Sequence, residues 1–204
     1  MKLERRLDDL IKDLLSPGGP IISTNRNYPF AIFQYSPHEE FTMRAKLIEQ
    51  IDALRGKGWT ILNVDLFSTL IEYLEEQEEG DLIDAFIQEE KLQYTANHSN
   101  YRFPLKTLQN SLDIFLKDQN EYPKGILKQI IQKTENSDKM KTVIFLSRIG
   151  SLYPFYRTST LLRYLDTGIR VPTIVLYPGE RLEQYYLSFM GEMDADRDYR
   201  PRIY

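Results

Sequence analysis

The residues whose types and spacing admit chemistry sit where apolar runs stop. Ser147-Arg148 closes the run Val143-Ile-Phe-Leu, and Arg157 follows after Tyr153-Pro-Phe-Tyr156. A guanidinium at a strand end can meet an anion or a partner's carboxylate through two parallel hydrogen bonds. Tyr153 and Tyr156 add amphipathic aromatic area of the kind enriched at protein interfaces. Both features have an internal reading as well: the arginines bridge Asp65 or Glu180 at neighbouring strand ends, and the aromatics pack in the core. Asp65 ends its own apolar run, Trp59-Thr-Ile-Leu-Asn-Val. A carboxylate there either binds a cation, as in ATPases, or caps the helix that follows.

Other chemistry is limited by what the chain lacks. There is no Gly-x-x-x-x-Gly-Lys-Ser/Thr phosphate loop, no Gly-x-Gly-x-x-Gly and no Gly-x-Ser-x-Gly elbow. Gly56-Lys-Gly58 precedes a strand instead of opening a helix, so it reads as a turn. The two histidines, His38 and His98, stand in different segments without a second ligand at metal spacing, and no cysteine is present. A disulfide framework, a thiolate metal site and a catalytic cysteine are thereby excluded. A metal-dependent nuclease built on Asp65 and Glu180 is the weakest enzymatic reading. The chain as a whole reads as non-catalytic, with no cofactor.

These residues need elements to position them. Leu3, Leu7, Leu10, Ile11, Leu14 and Leu15 predict an amphipathic helix over 2–15, ended by Ser16-Pro-Gly-Gly-Pro20. Phe30–Tyr35 reads as a strand. Ser36-Pro37-His38-Glu39 then starts a helix, with Pro at the first helical position and Glu39 where a capping box needs a carboxylate. Phe41, Ala45, Ile48, Ile51 and Leu54 are taken as its buried face. Gly56 and Gly58 stop it, and Trp59–Leu66 resumes as a strand. Residues 67–134 are mostly helical, interrupted by the acidic run Glu75–Glu79 and a polar, aromatic loop over 93–104. Strand character returns at Thr142–Ser147 and again at Pro172–Tyr177, with a short helix through Ser159–Leu165 between them. Pro178-Gly-Glu180 reads as a turn, and the alternation over Tyr185–Met190 as a closing strand near the sheet edge.

Strands alternating with helices predict an α/β fold. The expected architecture is an open, mostly parallel Rossmann-like or P-loop-like sheet of about four to five strands, with helices on both faces. It forms one domain over 1–204 with a helical insertion in the middle and no phosphate-binding loop. In such sheets ligands sit beyond the carboxyl ends of the strands. Ser147, Arg148, Tyr153, Tyr156, Arg157 and Glu180 cluster there as candidates for binding a partner or an anion.

Charge refines the partner class. The 204 residues carry a net charge of −4, with 26 Lys+Arg against 30 Asp+Glu. That argues against the broad basic surface of a non-specific nucleic-acid binder. From residue 141 onward nine Lys+Arg face seven Asp+Glu, leaving −6 for residues 1–140, and eight of those nine cations are arginine. Arginine suits ion pairs and partner contacts better than lysine. No apolar stretch approaches the ~18 residues of a membrane span, and the N-terminal residues have no signal-peptide core. The expected location is cytoplasmic.

Several segments resemble the BrxB family, small components of BREX phage-defence systems. They are Leu3–Leu10, Pro29–Tyr35, Val64–Leu66, Phe145–Arg157, Leu161-Leu162, Val175–Glu180 and Asp198–Tyr204. The resemblance spans nearly the whole chain, and residues 75–140 match in helical character only. The family's Gly-x-Gly near the third strand is Arg148-Ile-Gly150 here, and its Tyr-Tyr-Arg-Ala is Asp198-Tyr-Arg-Pro201. The resemblance implies a non-catalytic adaptor. It would bind PglZ, an alkaline-phosphatase-like protein, beside a large ATPase and a methyltransferase, and would support host DNA methylation and phage exclusion. DNA would be met only indirectly. The other reading from the residues is a degenerate nucleotide- or nucleic-acid-binding domain that does not hydrolyse.

Overall fold

The computed structural model describes residues 3–22, 29–76, 81–96, 102–116, 121–156, 158–183, 186–189 and 201–204. In chain order the elements are α1 (Leu3–Leu14), β1 (Phe30–Tyr35), a 3-10 turn (Pro37–Glu39) running into α2 (Glu40–Gly56), and β2 (Thr60–Asp65). Four helices follow: α3 (Leu66–Glu75), α4 (Leu82–Ala96), α5 (Arg102–Leu116) and α6 (Glu121–Thr134). Then come β3 (Thr142–Ser147), a 3-10 turn (Ile149–Leu152), α7 (Thr158–Leu165), β4 (Thr173–Glu183), β5 (Tyr186–Phe189) and β6 (Arg202–Ile203).

Five strands form an open, wholly parallel sheet in the order β2-β3-β4-β1-β6. The expected α/β class is therefore observed. The order is neither the 3-2-1-4-5-6 of the dinucleotide-binding fold nor the 2-1-3-4-5 of the flavodoxin type. β1 and β2, consecutive in the chain, are separated by two strands, so α2 makes a long crossover.

Alternation along the central strands builds two cores. Phe30, Ile32, Ile144, Leu146, Val175 and Tyr177 point to one face, where α3 to α7 cover them. Ala31, Phe33, Tyr35, Val143, Phe145, Ile174 and Leu176 point to the other, under α1 and α2. β3 is buried along its whole length, as expected of a strand covered on both faces. β2 has several exposed or half-buried residues, as befits an edge.

Several expectations need correcting. On α2 the buried residues are Met43, Leu47, Ile51 and Leu54, while Phe41 and Ile48 are 82% and 61% exposed. The expected set was too broad: at about 100° per residue, Phe41, Ala45 and Ile48 stand roughly a right angle or more from Leu47. Pro178-Gly-Glu180 is not a turn, because β4 runs through it to Glu183. Pro178 sits where pairing passes from β1 (Tyr35 opposite Pro178) to β5 (Gly179 opposite Phe189), so the missing N–H is tolerated. β5 accordingly lies antiparallel on the extension of a central strand, and the edge beyond β1 is β6. The 93–104 segment is also more helical than expected, since α4 reaches Ala96 and α5 begins at Arg102.

Gly58, with φ 78°, supplies the left-handed step that ends α2, and Gly56 stays helical.

Candidate functional site

At the carboxyl end of the sheet, β2 and β3 run side by side with Asp65 opposite Ser147. Asp65 caps α3: its Oδ1 accepts from the Phe67 and Ser68 amides at 3.1 and 3.0 Å. Its Oδ2 accepts from Arg148 Nη1 at 3.0 Å. One carboxylate thus starts a helix and fixes the arginine of the next strand. Arg148 lies over the Phe67 ring, 4.5 Å from its centroid, and its Nε has no hydrogen-bond partner among the described residues. Its backbone is left-handed, φ 57° and ψ 30°, which turns the chain sharply from β3 into the Ile149–Leu152 turn.

The other candidates separate by depth. Ser147 is buried and donates to the Val64 carbonyl at 3.3 Å. Tyr156 is buried in the first core, edge-on to Tyr122 with ring centroids 5.5 Å apart. Its hydroxyl has no partner among the described residues, and burial pushes its pKa up to about 12. Tyr153 is half-buried against the same core, next to Pro154, whose carbonyl accepts from Gln109 Nε2 at 3.1 Å. Glu180 is exposed on the β4 extension, opposite Ser188. Arg157 and His98 lie outside the described residues. Of the two internal readings of Arg148, the structure displays the bridge to Asp65.

The position a phosphate loop would take, between β1 and α2, holds different chemistry. Pro37 removes an amide, the Ser36 amide donates to Glu39 at 3.2 Å, and Glu40 accepts from the Tyr35 hydroxyl. Arg44 bonds Glu40 at 2.7 Å. Two carboxylates at this helix start repel the anion that a phosphate loop would hold. Among the described residues no group of three or more His, Asp or Glu is arranged to hold a metal ion, and no helix is long and apolar enough to cross a membrane.

A second polar site was not legible in the sequence. Arg6 of α1 donates to the Gln34 carbonyl at 2.7 Å and to its Oε1 at 3.1 Å. Asp13 accepts from Arg202 at 2.8 Å and from the Tyr204 hydroxyl at 2.9 Å. These residues wall a cleft of about 410 Å³ beside β6. Burial lowers the Arg6 pKa, with Glu39 opposing that shift. The only sequence signal was the Arg-Ile-Tyr alternation over 202–204.

A family model described as "BREX protein BrxB" matches residues 62–203, from β2 to β6. The chain belongs to the BrxB family. A BREX protein BrxB of Bacillus cereus (strain H3081.97) is 22% identical over 183 residues, covering 84% of this chain and 80% of that protein. No solved structure matches. The BrxB match includes Asp65, Ser147, Arg148 and the turn that follows, and all of the β4 extension. Helices α1 and α2 and strand β1 precede it.

Proposed function

We propose that this BrxB-family chain is a non-catalytic accessory subunit of a BREX system, and that it binds the system's PglZ-like protein through the carboxyl end of its sheet. The family match over 62–203 carries the reading. Within that span, Arg148 is already fixed by Asp65, and Tyr156 is core. The contact surface therefore falls to Tyr153, the exposed edge of Arg148 and Glu180, with Arg157 as the remaining candidate.

The test is co-purification of this chain with the PglZ-like protein of its own system, both shown to be folded. A complex at micromolar concentration supports the reading, and its absence sinks it. Glu180→Arg should weaken the complex at least about fivefold with little change in melting temperature. In cells, loss of the chain should reduce both host methylation and phage exclusion.

A further inference from the structure

Opposite the β6 edge, the sheet ends in β2, and among the described residues no strand pairs with its outer side. Its sequence Thr60-Ile-Leu-Asn-Val-Asp65 contains no proline, lysine or bulge to discourage pairing. The Thr60 amide donates to Lys141 beside β3, so Thr60, Leu62 and Val64 spend their backbone groups inward. Ile61 and Asn63 therefore turn N–H and C=O outward.

Helix α2 packs on this strand. One flank faces α1, where Lys46 bonds Glu4 at 3.6 Å. The opposite flank, on the side of the β2 edge, carries Phe41, Arg44, Ile48, Asp52 and Arg55 within an arc of about 80°. Phe41 and Ile48 are the large apolar residues of α2 left exposed. The charges beside them pair within the helix, Arg44 with Glu40 and Arg55 with Asp52, and Arg44 also lies over the Phe41 ring, 5.7 Å from its centroid.

We infer that this face binds a second copy of the chain about a two-fold axis. Antiparallel pairing with Ile61 opposite the partner's Asn63 places the axis at Leu62 and lets the four outward groups of each chain form hydrogen bonds. The same axis can be located independently on the helix. The Trp59 amide bonds the Leu54 carbonyl, so those two residues are level. Three strand steps of about 3.3 Å from Trp59 reach Leu62, and the same ~10 Å along a helix rising 1.5 Å per residue reaches residues 47–48. With Ile48 on its own copy, antiparallel helices set Arg44 against the partner's Asp52 and Phe41 against the partner's Arg55. Apolar contact, opposite charges and a cation over a ring thus recur in one symmetric arrangement. The two sheets join into one of ten parallel and antiparallel strands.

Sedimentation and light scattering of the full chain test this. The expected mass at about 100 μM is twice 24.1 kDa. Ile48→Asp should raise the dissociation constant at least about tenfold. Arg44→Asp and Asp52→Arg should each weaken the dimer about fivefold, and the two together should recover most of the loss. Circular dichroism should stay near wild type for all three, and the melting temperature should do so for Ile48→Asp and Asp52→Arg, whose side chains are largely exposed. A wild-type chain that stays at 24.1 kDa overturns the proposal, as does a dimer indifferent to Ile48→Asp or charge reversals without mutual rescue.

Discussion

Arg148 is bound from three directions: by the Asp65 carboxylate, by the Phe67 ring and by its own left-handed backbone. The last of these costs a residue with a Cβ about 1 kcal/mol. Both partners of the ion pair are about one-third exposed, so solvent screens it and it contributes at most about 1 kcal/mol. Arg148→Ala should therefore destabilise the fold by about 1 kcal/mol. Arg148→Gly should cost less than Arg148→Ala, because glycine takes a positive φ freely. Asp65→Ala should cost about 2 kcal/mol, since two α3 amides lose their acceptor along with the arginine. Urea unfolding gives all three. A glycine variant less stable than the alanine variant would contradict the role assigned to the left-handed turn.

Among the elements, β6 is the shortest, and side chains hold it as much as the ladder does. The Gln34 amide donates to Tyr204 at 3.2 Å, and the Tyr204 amide donates to Ile32 at 2.9 Å. Asp13 on α1 clasps both Arg202 and the Tyr204 hydroxyl. Without that carboxylate, a two-residue strand has little to offset its ordering entropy. Asp13→Ala should speed hydrogen exchange at the Gln34 and Tyr204 amides at least about tenfold while leaving Phe145 of β3 unchanged. Equal effects at all three amides would mean global destabilisation instead. β4 and α2 show the same dependence on neighbours. Pro178 is accommodated because the strand changes partner there, and α2 turns toward the sheet the face that Met43 and Leu47 share with Ile51.

Over the whole molecule, two cores share one sheet, so their tyrosines report on a common unfolding event. Burial raises the pKa of Tyr35, Tyr122, Tyr156 and Tyr204; at Tyr35 the Glu40 bond adds to the shift, and at Tyr204 the Asp13 bond does. A phenol whose pKa is raised by folding contributes stability that is fully present below its unfolded value, near 10, and is lost as pH climbs through the folded value. Stability should thus begin to fall near pH 10, with the Tyr156 share lost by about pH 12. Tyr156→Phe should leave neutral stability unchanged or raise it by about 1 kcal/mol, because the buried hydroxyl lacks a partner among the described residues. It should also make the alkaline decline shallower. Tyrosinate absorbance followed alongside circular dichroism measures both effects. Four tyrosines titrating at their ordinary value with the fold intact would refute the burial argument.

The sequence alone determined the α/β class and the positions of β1, β3 and the first half of β4, and it offered the helix cap at Asp65 as one of two roles, because periodicity, apolar runs and capping are written within a few residues of one another. Its BrxB resemblance agrees with the family match. The tertiary structure decided which strands are neighbours, that Arg148 meets Asp65 while Tyr156 enters the core, and that Arg202 and Tyr204 meet Asp13. Those contacts join residues tens to nearly two hundred positions apart. No local spacing encodes them, since they follow from strand order and from which faces the two layers of helices leave open.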